Sequence, residues 1–329
     1  MSNPLITIAI PTWNRATILD KALNALLPQI ENNKDKIEIV ISDNGSDDNT
    51  SEIIEKHISL HNTLNIVHFT QRKNTGYYGN FKKCRELSNG DYFWLLSDND
   101  YVANGLINYL LDILINNQPS FVFLRDWKHD AKVGAYSSFK SSVYTVKEGI
   151  EKFNYKTTLI SAVVFNNDKS NDTVLFEKFN ENTFLGFAYF LQSLKNKDKA
   201  FEIIGTSLFI NDAKVSFNAF KSFGVDLMAC FKFAIEENIL SKETVAVFIN
   251  KVITGLTVKH YILYRITGSL HGKKHKKEDV DKLITEGFSD YKAYHEELKP
   301  LQESSGLKFY ILVFKKHLFK IIKEQLLKK

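Results

Sequence analysis

The sequence predicts an α/β protein, a doubly wound, mostly parallel sheet followed by a helical C-terminal extension. Three observations predict it. Through the first 124 residues, short apolar runs rich in Ile, Val and Phe alternate with segments of helical apolar spacing, the pattern of strand–helix–strand units with right-handed crossovers. Each of the first four runs ends in polar, ligand-capable residues. Beyond about residue 215 the strand signal fades into long helical patterns.

Residues 5–10 open the chain as a strand, and 16–27 follow as a helix, with Ile18, Leu19, Ala22, Leu23 and Leu26 on one face. Next come a strand at 37–41, a helix at 50–57, a strand at 65–69, a helix at 81–88 stopped at Gly90, and a strand at 92–96. A helix at 105–114 and a strand at 121–124 continue the alternation. Further on, 159–165 reads as a strand, 184–194 as a helix, and 201–204 and 207–210 as short strands. Residues 225–237 and 244–264 read as helices, then a basic loop at 271–277 and a final amphipathic segment. The expected division is 1–215 and 216–329.

With 329 residues, 44% hydrophobic and 25% charged, the composition is that of an ordinary globular chain able to bury a large core. The start lacks the basic, then apolar, pattern of a signal peptide, and no apolar run approaches the roughly 18 residues of a membrane span. Cys84 and Cys230 form neither a disulfide framework nor a zinc spacing, so a reducing cytosol is expected. Residues 307–329 carry seven lysines and one glutamate, a local +6, against +5 for the whole chain. The positive charge belongs to a tail, which argues against a nucleic-acid-binding body.

The strand ends carry the chemistry. The first gives Pro11, Thr12, Trp13, Asn14 and Arg15, and the second runs from Ser42 and Asp43 to Thr50. The third gives Gln71, Arg72, Lys73, Asn74, Thr75 and Gly76, and the fourth Ser97, Asp98, Asn99 and Asp100. In a parallel sheet these ends share one edge and converge on one crevice. Asp98 and Asp100 follow five consecutive apolar residues. Two acids so placed repel unless a cation sits between them, which points to a divalent metal holding a phosphate-bearing substrate. Asp-Asn-Asp is also turn chemistry. The ordered set of strand ends favours the metal.

That set, over roughly residues 5–112, resembles the family-2 glycosyltransferases of the GT-A fold, in particular the abequosyltransferase-like branch that builds bacterial surface polysaccharides. The resemblance implies an inverting, metal-dependent transfer of a sugar from a nucleoside diphosphate to a saccharide acceptor, expected to be a lipid-linked oligosaccharide at the cytosolic membrane face. It implies nucleotide contacts from Pro11, Thr12, Arg15, Asp43, Arg72 and Asp98, and Mg²⁺ or Mn²⁺ on Asp98 and Asp100. Asn74 and Gly76 would shape the loop, and Asn80 would cap the next helix. Related sequences often carry an aspartate between the metal pair; Asn99 here removes one charge and keeps both outer acids.

The general base departs from the family pattern. Its Gly-Glu-Asp motif matches Gly186, Phe187 and Ala188, so both acids are missing. Glu181 and Asp126 are the substitutes. A nucleotidyltransferase, or an inactive sugar-nucleotide- or glycan-binding module, is the alternative reading. In the tail, Phe314, Leu318, Ile321 and Ile322 make an apolar helical face beside Lys316, Lys320 and Lys323, the pattern of a helix lying on a membrane surface.

Overall fold

The computed structural model describes residues 3–129, 138–195, 197–210, 218–270 and 273–315. The chain divides into two compact units, Met1–Ala213 with Glu236–Ile239, and Lys214–Ile235 with Leu240–Lys329.

The first unit is built on a nine-stranded sheet. Its strands are β1 (Ile6–Thr12), β2 (Ile37–Asp43), β3 (Asn65–Thr70), β4 (Tyr92–Leu95), β5 (Asp100–Val102), β6 (Phe121–His129), β7 (Lys140–Thr145), β8 (Val163–Asn166) and β9 (Lys199–Ile210). They lie in the order β3-β2-β1-β4-β8-β6-β9-β5, with β7 also paired to β9. β1 runs parallel to β2 and β4, and β2 to β3. β8 is antiparallel to both β4 and β6, so β6 and its parallel partner β9 point the same way as the first four strands. Six carboxyl ends therefore share one edge, and only β5, β7 and β8 are reversed.

The helices of this unit are α1 (Ala16–Leu26), α2 (Thr50–Leu60), α3 (Gly76–Leu87), α4 (Leu106–Asn117), α5 (Val146–Phe153), α6 (Asp172–Phe179) and α7 (Leu185–Ser193). α1 buries Leu19, Ala22, Leu23 and Leu26 of the predicted stripe, and Ile18, expected on the same face, is 38% exposed. β2 is buried at every position, as a strand covered on both faces must be. Ile8, Ile39, Trp94, Val122 and Val164 join one core that continues from the parallel half into the mixed half. Gly90 turns the chain from α3 into β4 directly under β1. A Cβ there would come within 2.4 Å of the Thr7 amide nitrogen, so only glycine fits.

Three features of the second half differ from the sequence reading. Residues 160–162 form a 3₁₀ turn, and the strand begins only at Val163. The two short strands expected at 201–204 and 207–210 are one strand, β9. The register slips between Leu124 and Asp126 of its partner, and Gly205 at φ 126 is a bulge residue that looks like a break in the pattern. β5 and β7 were not foreseen. β5 is three residues long and pairs with β9, about a hundred residues later, and β7 alternates exposed and half-buried positions at the margin of the sheet.

The second unit is helical. Ala219–Lys221 passes through a π turn, Ser222–Asp226, into Leu227–Glu236, and Lys242–Val252 passes through another, Ile253–Thr257, into Val258–Thr267. Lys277–Phe288 and Gly306–Val313 follow, separated by shorter turns. Among the described residues no helix is long and apolar enough to cross a membrane. Leu318, Ile321, Ile322 and the tail lysines from Lys316 onward lie outside the described residues.

Candidate active site

β1 carries Pro11 and Thr12 to the shared edge. There the chain turns through Asn14 at φ 51, a left-handed conformation that asparagine tolerates better than other side chains. The turn is fixed by exchange with the loop after β2: the Asn14 amide donates to Ser46 Oγ at 2.8 Å, and the Asp47 amide donates to Asn14 Oδ1 at 2.9 Å. Arg15 is thereby returned over the end of the sheet. Its Nη1 donates to Asp98 Oδ1 at 2.6 Å, and Thr12 Oγ1 donates to Asp98 Oδ2 at 2.9 Å. Asp98 is 4% exposed. Burial pushes its carboxyl above the usual aspartate range, against the pull of the Arg15 charge and the bonds from Thr12 and Arg15.

Asp43, the last residue of β2, is fully buried. Its Oδ1 accepts from the Ser46 amide at 3.0 Å and from Ser46 Oγ at 2.6 Å, and its Oδ2 from Ser51 Oγ at 3.0 Å. The carboxylate thus closes the 44–49 loop, and Asp48 anchors both flanking helices. Asp48 accepts from the Thr50 amide at 3.0 Å and from the Ala16 amide at 3.1 Å. Burial opposes its ionisation, yet the bonds from Thr50 and Ala16 hold it below the usual range.

Asn44 is the residue the sequence reading passed over. Its Oδ1 accepts from Gln71 Nε2 at 3.0 Å and from the amide and hydroxyl of Thr75, both at 2.9 Å. Its Nδ2 donates to Asn74 Oδ1 at 3.0 Å and to the Gly76 carbonyl at 3.1 Å. One buried amide therefore ties the end of β2 to the whole loop before α3. Asn80, expected as a helix cap, instead sits inside α3 and donates to the Thr12 carbonyl at 3.3 Å. Gly45 has φ 71, and a Cβ there would meet the Lys73 backbone at 2.9 Å. Trp13, beside Thr12, is 48% exposed; its only signal in the sequence is its place in a polar strand end. Arg72 is exposed on the loop that Asn44 holds.

Asp100 is buried and opens β5, opposite Ile210 of β9. Among the described residues no group of three or more His, Cys, Asp or Glu side chains forms a ready-made metal cage. Asp98 and Asp100 still fit a hard divalent ion in their chemistry. Such ions take oxygen ligands from one or two carboxylates and complete their shell with water and substrate phosphates.

The base candidates lie apart. Glu181 is exposed in the turn before α7. Asp126 lies in β6, and its side chain is outside the described part of the structure. The backbone register nevertheless locates it. β6 runs the same way as β4, since both lie antiparallel to β8. Asp126 therefore stands on a strand whose carboxyl end shares the edge at which β4 ends, and Asp98 lies in the turn beyond β4. Phe187 and Ala188, at the acidic positions of the motif, are 4% and 0% exposed, and the Phe187 ring packs on Phe190 at 5.8 Å. Acids at either position would be buried among rings.

Arg85, in the last turn of α3, lies toward the opposite edge, where β4 begins. Fully buried, it donates to Asp172 Oδ1 from Nη2 at 2.8 Å, to Asp172 Oδ2 from Nε at 3.1 Å, and to Asn167 Oδ1 from Nη1 at 2.5 Å. Its guanidinium lies over Phe93 and Tyr189.

Residues 7–165 match the family model described as Glycosyl transferase family 2. Over 124 residues the chain is 39% identical to Abequosyltransferase RfbV of Salmonella typhimurium, covering 38% of this chain and 36% of that protein. Over 230 residues it is 26% identical to an uncharacterized glycosyltransferase of Haemophilus influenzae, covering 68% and 86%. The chain spans 36%, 48% and 32% of the lengths of three curated relatives that it matches. In fold it is similar to S. aureus TarS 1-349 in complex with UDP, with a TM-score of 0.61 at 12% identity, over 90% of this chain and 84% of that one.

Proposed function

Residues 7–165 belong to glycosyl transferase family 2, and from that premise we propose that the protein is an inverting glycosyltransferase. It would move a sugar from a nucleoside diphosphate to a saccharide acceptor in the synthesis of a bacterial surface polysaccharide. The observation that carries the reading is the buried Asp98, held by Thr12 and Arg15 where four parallel strands end, with Asp100 two residues on. The names of the relatives support it: one is an abequosyltransferase, and another, of Campylobacter jejuni, is a glucosyltransferase named for an undecaprenol-linked acceptor.

In this reading Pro11, Thr12, Arg15, Asp43, Arg72 and Asp98 form the nucleotide site, with Asp43 acting at least through the loop that it closes. Asp98 and Asp100 would hold Mg²⁺ or Mn²⁺. That ion, when bound, supplies positive charge beside the departing diphosphate. The acceptor hydroxyl oxygen attacks the anomeric carbon, the bond from that carbon to the diphosphate oxygen breaks, and the hydroxyl proton passes to a carboxylate. We favour Asp126 for that carboxylate over Glu181, because β6 ends on the same edge as β4, whereas Glu181 is exposed in the turn before α7. The acceptor is proposed to be lipid-linked, with the enzyme peripheral at the cytosolic face of the membrane.

The buried Phe187 and Ala188 favour a second reading, an inactive module that binds sugar nucleotides or glycans. Nucleotide release from a panel of sugar nucleotides, with Mn²⁺ and with and without saccharide acceptor, separates the two. The transferase gives acceptor-dependent release, and the module gives binding alone.

A further inference from the structure

The helix Gly306–Val313 is apolar on both faces. Phe309 is its inner anchor, buried at 3% exposure with the Arg265 guanidinium 4.5 Å from its ring centre, and Leu312 and Val313 are half-buried. The start of the helix is held as well, since Arg265 Nη2 donates to the Ser304 carbonyl at 2.9 Å. On the outer face Leu307, Tyr310, Ile311 and Phe314 are 77%, 54%, 44% and 65% exposed. Their spacing of i, i+3, i+4 and i+7 makes one continuous stripe. Lys308 is the one charged residue of the helix, and Lys308 and Lys315 are both exposed. Among the described residues this helix is fastened by one side and exposed on the other, an apolar face built to be covered.

We infer that this stripe docks the protein on an anionic lipid surface. The charge selects that occupant over a second copy of the chain. Residues 307–329 carry seven lysines against one glutamate, so two such segments repel, whereas an anionic bilayer takes up both the apolar stripe and the lysines around it. The inference deepens the peripheral location proposed above. It does not rest on the transfer reaction, because the test reads binding without turnover.

The test is sedimentation of the full chain with vesicles of phosphatidylcholine alone or mixed with phosphatidylglycerol, at low and high salt. The wild type is expected to pellet with the mixed vesicles at low salt and to be released by high salt. Ile311→Gln with Phe314→Gln should lower that partition at least ~10-fold, because it removes two inserted side chains. Both positions are exposed, so an unchanged melting temperature is expected to accompany the loss. Wild type remaining in the supernatant at low salt overturns the proposal. So does a concentration-dependent dimer that the double variant abolishes, which makes the stripe an interface between copies, or a double variant that unfolds.

Discussion

Arg15 and Asp98, 83 residues apart in sequence, meet in an ion pair of 2.6 Å at the end of the sheet. Arg15 is 39% exposed at its side chain and Asp98 5%, so the pair joins a solvated cation to a carboxylate that burial disfavours. The bond from Thr12 completes the carboxylate's shell without neutralising it. Asp98 is thus a buried carboxyl held by Thr12 and Arg15 at the end of the sheet.

The pH dependence of stability follows from that strain. Burial raises the folded-state pKa of Asp98 above its unfolded value. Its contribution is therefore most favourable below the unfolded pKa and declines as pH rises through the folded one. Asp98→Asn removes this titration. Its melting temperature relative to wild type should climb from pH 3.5 to pH 7, measured by circular dichroism, while sugar transfer is abolished. A constant offset across that range would mean that the carboxyl is not held above its usual range.

Asp43 separates loop closure from nucleotide recognition. Asp43→Asn keeps the shape and weakens a charge-assisted set of bonds worth roughly 1.5–3 kcal/mol. In calorimetry the dissociation constant of the nucleoside diphosphate should rise more than tenfold. Unchanged affinity with a lowered melting temperature would confine Asp43 to the 44–49 loop.

The base assignment is open to a paired comparison. Asp126→Asn should lower the turnover number at least ~100-fold with donor affinity intact, and Glu181→Gln by much less. The reverse order would move the base to the turn before α7.

Arg85 is expected to be worth more to folding than any ion pair on the surface. Removing one partner of a buried, hydrogen-bonded pair typically costs about 3–5 kcal/mol, and urea unfolding of Arg85→Ala should show a loss of that order. Arg85→Lys should recover little of it, because one ammonium cannot serve Asp172, Asn167 and the Asp168 carbonyl together.

Much of the parallel half was legible because its signals are local. The stripe of α1, the apolar runs of β1, β2 and β4, and the stop at Gly90 each lie within a dozen residues. The strand ends could be placed on one edge because parallel strands must share it. What escaped depends on partners distant in sequence. β5 exists only because β9 passes beside it, and Gly205 looks like a break until β6 supplies the register. At the site, Asp98 and Asp43 were found by residue type and position. Asn44 was not, because an asparagine in a loop rich in Asp, Asn, Ser and Gly is ordinary turn composition. Its five hydrogen bonds belong to a loop some thirty residues on.

The central claim is sugar transfer from a nucleoside diphosphate at the Asp98 crevice, and one assay addresses it directly: nucleoside diphosphate release from UDP-, GDP-, CDP- and dTDP-sugars with Mn²⁺ and a saccharide acceptor. The account predicts acceptor-dependent release with at least one donor, lost on adding EDTA and lost again in Asp98→Asn and in Asp100→Asn. Release that persists undiminished in both variants would contradict it, as would a protein whose melting temperature none of the four nucleotides moves.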